Sequence, residues 1–332
     1  MGKSGKNYLS ASLLIIGLIA GILAVETYEK LHLSTSAPTT QVRVDMPQYK
    51  YINPLLYSDT PRDDAAPYNS LMKVFESDVS SSTRNGVVTN MSVHYRDLDT
   101  GHWTGVNENE LYRPSSMLKV VVLMAVLQVA EQDPSFLTKQ VYYASTDHSD
   151  QYYKPAQLPS GYYTIQRLVN AMIIDSDNDA LSTLQSDPHV GSEFNDMYAL
   201  FRLPQVSTSS PDFMSPKSYS VLFRSLYNST LFPWSLSEQI LDLLTHTTFT
   251  AGLVAGVPAG TTVAHKFGEN TGTAPDGTIV ERELHDCGII YYPHHPYFLC
   301  VMTQGADFGA LGNAIAAISR DTYTFTENQY PI

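Results

Sequence analysis

A chain of 332 residues that is 43% hydrophobic and 16% charged lies within the range of folded globular proteins and can bury a substantial core. Its formal net charge of −13 excludes nucleic acid and anionic lipid as main partners, because both require a basic patch.

The first predicted element is residues 8–25, YLSASLLIIGLIAGILAV, which carry no charge. A helix of this length just crosses the hydrocarbon layer. Lys3 and Lys6 precede it and Glu26 and Glu29 follow it. That order sets the N-terminus in the cytoplasm and the remainder outside. Residues 1–25 are thus expected to be a single-pass anchor in the cytoplasmic membrane; a cleaved signal peptide is the alternative, since Ala20 and Ala24 suit processing. Residues 26–47 are polar, contain two prolines and lack a period, and are expected to form a linker. A single domain is then expected over 48–330.

Within it, apolar spacing predicts a helix over 67–82, then two strands over 87–107 around a turn at Asp99, Thr100 and Gly101. Residues 118–132, LKVVVLMAVLQVAEQ, are apolar on nearly every side and predict a deeply buried helix. Thr164 is a candidate cap for a helix reaching Ile174, with a second helical piece over 177–185. Helices are expected again over 215–225, opened by Ser215 and Pro216, and over 235–248. Strand-like runs follow at 261–269, 285–292 and 297–305, and residues 309–325 predict a closing helix. The only cysteines, Cys287 and Cys300, flank a Pro-His-His-Pro turn at 293–296. A hairpin centred there sets them opposite each other, as a disulfide or as two buried thiols. This order of elements predicts an α+β fold: an antiparallel sheet flanked by helices, with a helical region inserted between its strands.

Three short motifs carry the chemistry. Ser116-Met117-Leu118-Lys119 heads the buried helix, where i and i+3 share a face, so Lys119 reaches the Ser116 hydroxyl. Serine is a weak nucleophile without a neighbouring base, and a lysine in apolar surroundings gives up its proton more readily. The positive end of the helix lies where oxyanion charge would develop. Ser176-Asp177-Asn178 falls between two helical pieces. Lys266-Phe267-Gly268 lies on a strand, with Lys266 and Gly268 on one face and no side chain at Gly268 to keep a ligand from the backbone.

In this order and these contexts, the set resembles the S-x-x-K, S-D-N and K-T-G motifs of the class A β-lactamase and penicillin-binding protein (D-Ala-D-Ala peptidase) superfamily, over roughly residues 50–325. The resemblance implies a β-lactamase/transpeptidase-like fold and an acyl-enzyme on Ser116, formed with a β-lactam or a peptidoglycan stem peptide. It implies Lys119 as base or its assistant, Ser176 as proton relay, Asn178 as holder of the substrate amide and Lys266 as positive charge. Gly268 would line the substrate strand, and the backbone N–H groups of Ser116 and Glu269 would form the oxyanion hole. Two departures stand out. Phe267 occupies a position where the family has a hydroxyl that helps bind the substrate carboxylate. Residues 199–216 also lack the E-x-x-L-N segment whose glutamate activates the deacylating water, Asp212 being the only acid there. A D-Ala-D-Ala carboxypeptidase or a slow β-lactamase is therefore expected, the alternative being a catalytically silent, membrane-anchored protein that binds cell-wall peptides or a protein partner. The ten histidines show no ligand spacing, so no metal or other cofactor is expected. Tyr142, Tyr152, Tyr162 and Tyr291 belong to an abundance of tyrosine that could line a cleft or fill half-buried positions.

Overall fold

The computed structural model describes residues 41–43, 47–58, 68–84, 86–148, 151–201, 203 and 213–331. The expected anchor or signal segment and most of the expected linker lie outside them. In chain order the compact unit Gln41–Ile332 contains β1 (Gln41–Arg43), β2 (Leu55–Ser58), α1 (Asn69–Thr83), β3 (Val88–Asp97) and β4 (Trp103–Val106). A 3₁₀ turn at Ser115–Leu118 leads into α2 (Lys119–Gln132), followed by β5 (Gln140–Tyr143), β6 (Gly161–Thr164), α3 (Ile165–Ile174), α4 (Asn178–Gln185) and α5 (Pro188–Leu200). Then come α6 (Pro216–Tyr227), α7 (Trp234–Thr245), α8 (Leu253–Gly256), β7 (Val263–Thr273), β8 (Ile279–Ile290), β9 (Tyr297–Gly305) and α9 (Phe308–Gln329).

Five strands pair antiparallel in the order β4-β3-β9-β8-β7. Because helices cover both faces, the inner strands are apolar along almost their whole length; β9 (YFLCVMTQG) is buried at every position but Gln304. On one face Met91, Val93 and Tyr95 of β3 and Leu299 and Val301 of β9 pack with Leu71 and Phe75 of α1 and Leu311, Ile315 and Ile318 of α9. On the other, Cys287, Ile289, Cys300 and Met302 meet the helical block around α2. Ser115–Gln132 is long and apolar enough to cross a membrane, but its surroundings are protein: residues from Lys119 through Val126 are fully buried, and the segment is the axle of the helical block.

The expected α+β architecture and its main elements are present. Thr164 caps α3 by accepting from Arg167 N, and Ser215 opens α6 with a capping box. Cys287 and Cys300 face each other across β8 and β9 and are joined by a disulfide.

Some features were not foreseen. Gln41–Arg43, inside the expected linker, pairs antiparallel with β2, so the folded unit begins before Tyr49. A three-residue strand has no period to read; it is held by Arg43, whose guanidinium donates to the Asn53 carbonyl (2.6 Å) and Asn228 Oδ1 (3.2 Å). The β5–β6 hairpin and α5 also escaped prediction. Each strand of the hairpin has four residues, of which only Tyr143 is buried, and α5 buries only Val190, Met197 and Tyr198.

Candidate active site

The geometry of the site begins with two non-glycine residues in the left-handed region, Ser115 (φ 49°) and Ser176 (φ 58°). Such backbone is uncommon and costs free energy, and it persists where surrounding structure demands it. At Ser176 it brings both the carbonyl and the hydroxyl toward α2. Asp177 secures the turn: Oδ1 accepts from Ala180 N (2.8 Å), capping α4, and Oδ2 accepts from Tyr143 OH (2.8 Å).

Lys119 stands one helical turn beyond Ser116 and is wholly buried. Its Nζ lies 2.9 Å from Ser116 Oγ and 3.1 Å from Ser176 Oγ, and donates to the Ser176 carbonyl and to Asn178 Oδ1, both at 2.6 Å. From the opposite side Lys266, also fully buried on β7, donates to Ser176 Oγ (2.9 Å) and the Phe267 carbonyl (3.2 Å). The Ser176 hydroxyl thus bridges two buried amines. Burial holds the Lys119 amine down to about 7, against the upward pull of Asp177 and Glu269. Burial first, and then the neighbouring Lys119, push Lys266 well below the usual lysine range.

The structure therefore brings Ser116, Lys119, Ser176, Asn178 and Lys266 into one place. Gly268 is there for a different reason than expected. A Cβ on it would lie 2.4 Å from the Pro114 carbonyl oxygen and 3.0 Å from Met117 Cγ, so the space it leaves is filled by the protein's own 3₁₀ turn and not left for a ligand. Strand alternation permits this, because Lys266 and Gly268 share the face that meets Ser116. β7 is the outer strand of the five-stranded sheet, which turns alternate backbone N–H groups away from β8 and toward that turn.

Glu269 is the second surprise. Its carboxylate spans the cleft and accepts from Tyr152 N (2.9 Å) and Tyr153 N (3.0 Å), fastening the segment over residues 151–153 to β7. Burial raises the carboxyl's pKa, while these two N–H groups and the nearby lysines oppose the rise. Tyr153 OH donates to Thr248 Oγ1 (2.6 Å), and its ring meets Phe267 edge-on at 5.1 Å. Phe267 in turn stacks on Phe249 at 4.0 Å. A cleft of about 80 Å³ remains, lined by Ser116, Ser176, Asn178, Glu269, Phe267 and Tyr153, among others. None of the four tyrosines singled out in the sequence is in that lining. Tyr142 and Tyr162 pair with each other across the β5–β6 hairpin, Tyr152 stacks on Phe308, and Tyr291 meets Tyr51. Tyr153 and Gln151, which do line it, sit in a loop without periodicity, and no pattern in the sequence marks them.

Comparison with known proteins yields a family model, described as the Beta-lactamase enzyme family, that matches residues 75–326. No curated protein matches the chain. Among solved structures, PBP-A is similar at TM-score 0.62 and 20% identity, over 78% of this chain and 97% of that one. A beta-lactamase from Chitinophaga pinensis DSM 2588 is similar at TM-score 0.64 and 16% identity, over 78% of this chain and 100% of that one. TLA-3 extended-spectrum beta-lactamase is similar at TM-score 0.64 and 18% identity, over 78% and 98%. At these identities the structural likeness concerns the fold.

Proposed function

The chain belongs to the beta-lactamase enzyme family, and from that premise we propose that it is a serine acyl-hydrolase that forms an acyl-enzyme on Ser116 with a β-lactam or a D-alanyl peptide. The observation that carries the proposal is the Lys119 amine, 2.9 Å from Ser116 Oγ and held near 7 by burial. An amine that is substantially neutral at physiological pH is a competent general base for an adjacent hydroxyl. In this reading Lys119 takes the Ser116 proton as Oγ attacks the carbonyl carbon. The backbone N–H groups of Ser116 and Glu269 hold the resulting oxyanion, and Asn178 holds the substrate amide. Ser176, between Lys119 and Lys266, passes a proton to the departing nitrogen. A catalytically silent binding protein would have no use for two buried amines converging on one hydroxyl, an arrangement that is costly to fold.

Release of the acyl group is the slow half in this proposal. Residues 199–216 contain no glutamate, and their only acid, Asp212, lies outside the described residues. An acyl-enzyme that persists fits a D-Ala-D-Ala carboxypeptidase or a slow β-lactamase better than a rapid drug-hydrolysing enzyme. A variant of PBP-A, similar in fold to this chain, has been solved as an acyl-enzyme complex with penicillin G, which supports the β-lactam side of the proposal. We propose further that residues 8–25 hold the protein in the cytoplasmic membrane with its catalytic domain outside. The uncharged run and its flanking lysines and glutamates support this, and so does a disulfide of the kind that persists in oxidising compartments.

Incubation with a fluorescent penicillin, followed by denaturing gel and intact mass, tests the hydrolase reading. The wild type is expected to carry one label that outlasts the incubation, and Ser116→Ala to carry none. Failure of the wild type to react with either a penicillin or an uncharged acyl donor would overturn the reading.

A further inference from the structure

Resting on the acyl-enzyme reading above, we propose that the segment over 151–153 is a gate latched across the cleft, so that its opening sets how fast Ser116 takes acyl donors larger than the closed site.

The segment belongs to the connection between β5 and β6, residues 144–160, which has no helix or strand among its described residues. Connections beyond ~12–15 residues without such structure are uncommon in compact domains and often serve as lids or binding loops. Its root is on the side of the helical block, where Tyr143 OH donates to Asp177 Oδ2. Its far end is fastened to the sheet side. Glu269 of β7 accepts from Tyr152 N (2.9 Å) and Tyr153 N (3.0 Å). Tyr153 OH donates to Thr248 Oγ1 (2.6 Å). The Tyr152 ring stacks on Phe308, at the head of α9, with 4.7 Å between centroids.

This fastening divides the cleft. Ser116, Phe267, Glu269 and Tyr153 line the space of about 80 Å³, whereas His148, Lys154 and Asp177 line a second space of about 170 Å³. Gln151, Ser176 and Asn178 line both, so the segment is the partition between them. Drug-sized molecules occupy pockets of about 300–1,000 Å³. Neither space alone has room for a penicillin or a D-alanyl peptide. With the segment lifted the two join beside Asn178, the residue that holds the substrate amide. The latch is also of a kind that releases. Tyr152 is 40% exposed and its N–H bond to Glu269 lies at the surface, so opening uncovers little apolar area.

The test uses the full chain and two acyl donors: a fluorescent penicillin, and S-methyl thioacetate, whose few atoms suit the closed cleft. In both, the bond from Ser116 Oγ to the acyl carbon forms as that carbon's bond to nitrogen or sulfur breaks. The hydroxyl proton leaves through Lys119, and the departing nitrogen or sulfur is protonated by way of Ser176. Intact mass of quenched samples reports the rate of acylation, with Ser116→Ala as the blank. Tyr152→Ala and Phe308→Ala each remove one half of the stacked pair, and neither residue lines either space. Both variants are expected to speed acylation by the penicillin about three- to tenfold, the scale of one lost aromatic pair that holds the closed state. Acylation by the thioester is expected to stay at the wild-type rate, which also reports a folded site. Penicillin acylation that is unchanged or slower in both variants overturns the proposal. So does thioester acylation that speeds up in step with it, since a gate filters by size. A wild type that reacts with neither donor overturns the hydrolase reading, and this proposal with it.

Discussion

Lys119 must be a neutral amine to accept the Ser116 proton, and its surroundings decide at what pH that happens. An exposed lysine is protonated throughout the physiological range. Here burial disfavours the charged form and brings the amine down to about 7, although Asp177 and Glu269 pull the other way. The sign follows directly: below the depressed value the amine is protonated and cannot accept a proton, and above it the amine is free to do so. Acylation of Ser116 is expected to rise with pH along a limb with its midpoint near 7 and to level off above it, as measured by the rate of label incorporation from pH 5 to pH 9. A profile that stays flat below 7 would mean that Lys119 is not the base. The other sequence-derived residues of the site, Ser176, Asn178 and Lys266, are readable because each belongs to a short motif whose residue types are chemically necessary. Glu269 is expected from the sequence to contribute only its backbone N–H; the role of its carboxylate becomes visible with the loop over 151–153 bonded to it.

At the scale of elements, the site depends on how closely β7 approaches the 3₁₀ turn before α2. Gly268 makes the approach possible, since an added Cβ would sit 2.4 Å from a backbone oxygen, an atom that cannot swing aside as a flexible side chain would. Gly268→Ala is expected to push Ser116 and Lys266 apart. A displacement on the order of 1 Å costs about 10²-fold in rate, and overpacking of this kind costs about 1–3 kcal/mol in stability. Labelling kinetics and urea unfolding would measure the two. Gly191→Ala in α5 is the control, because its Cβ meets nothing nearer than the Gln185 carbonyl at 3.7 Å. That variant is expected to react like the wild type. From sequence, a glycine on a strand beside a lysine suggests open space for a ligand. Which body fills such a space is a long-range matter, and here Pro114 fills it.

For the whole molecule, the sheet is the frame on which the other parts are set, and the disulfide ties two of its inner strands. Cys287 and Cys300 are fully buried and 13 residues apart in sequence. Replacing both by alanine is expected to lower the free energy of unfolding by about 2–5 kcal/mol, through a looser unfolded chain and lost packing. Urea unfolding with and without reductant checks this. Reductant alone, without denaturant, is expected to leave acylation unchanged, because the bond is enclosed in the folded state. An unfolding midpoint that ignores both the substitutions and the reductant would show that the bridge contributes nothing to stability.

The order of amino acids alone carries the fold class, the buried axle helix with Ser116 and Lys119 one turn apart at its head, and the motifs that supply Ser176, Asn178 and Lys266. It could do so because helical period, strand alternation and capping act over a few residues, and because a serine nucleophile needs a particular kind of neighbour. Folding of the whole chain is what makes the two lysines converge on one hydroxyl, seats Pro114 against Gly268, bridges the cysteines and carries Glu269 across the cleft to Tyr152 and Tyr153. These contacts join residues from 57 to more than 150 positions apart or depend on strand register. Local propensity has no access to such distances; packing of the whole core sets them.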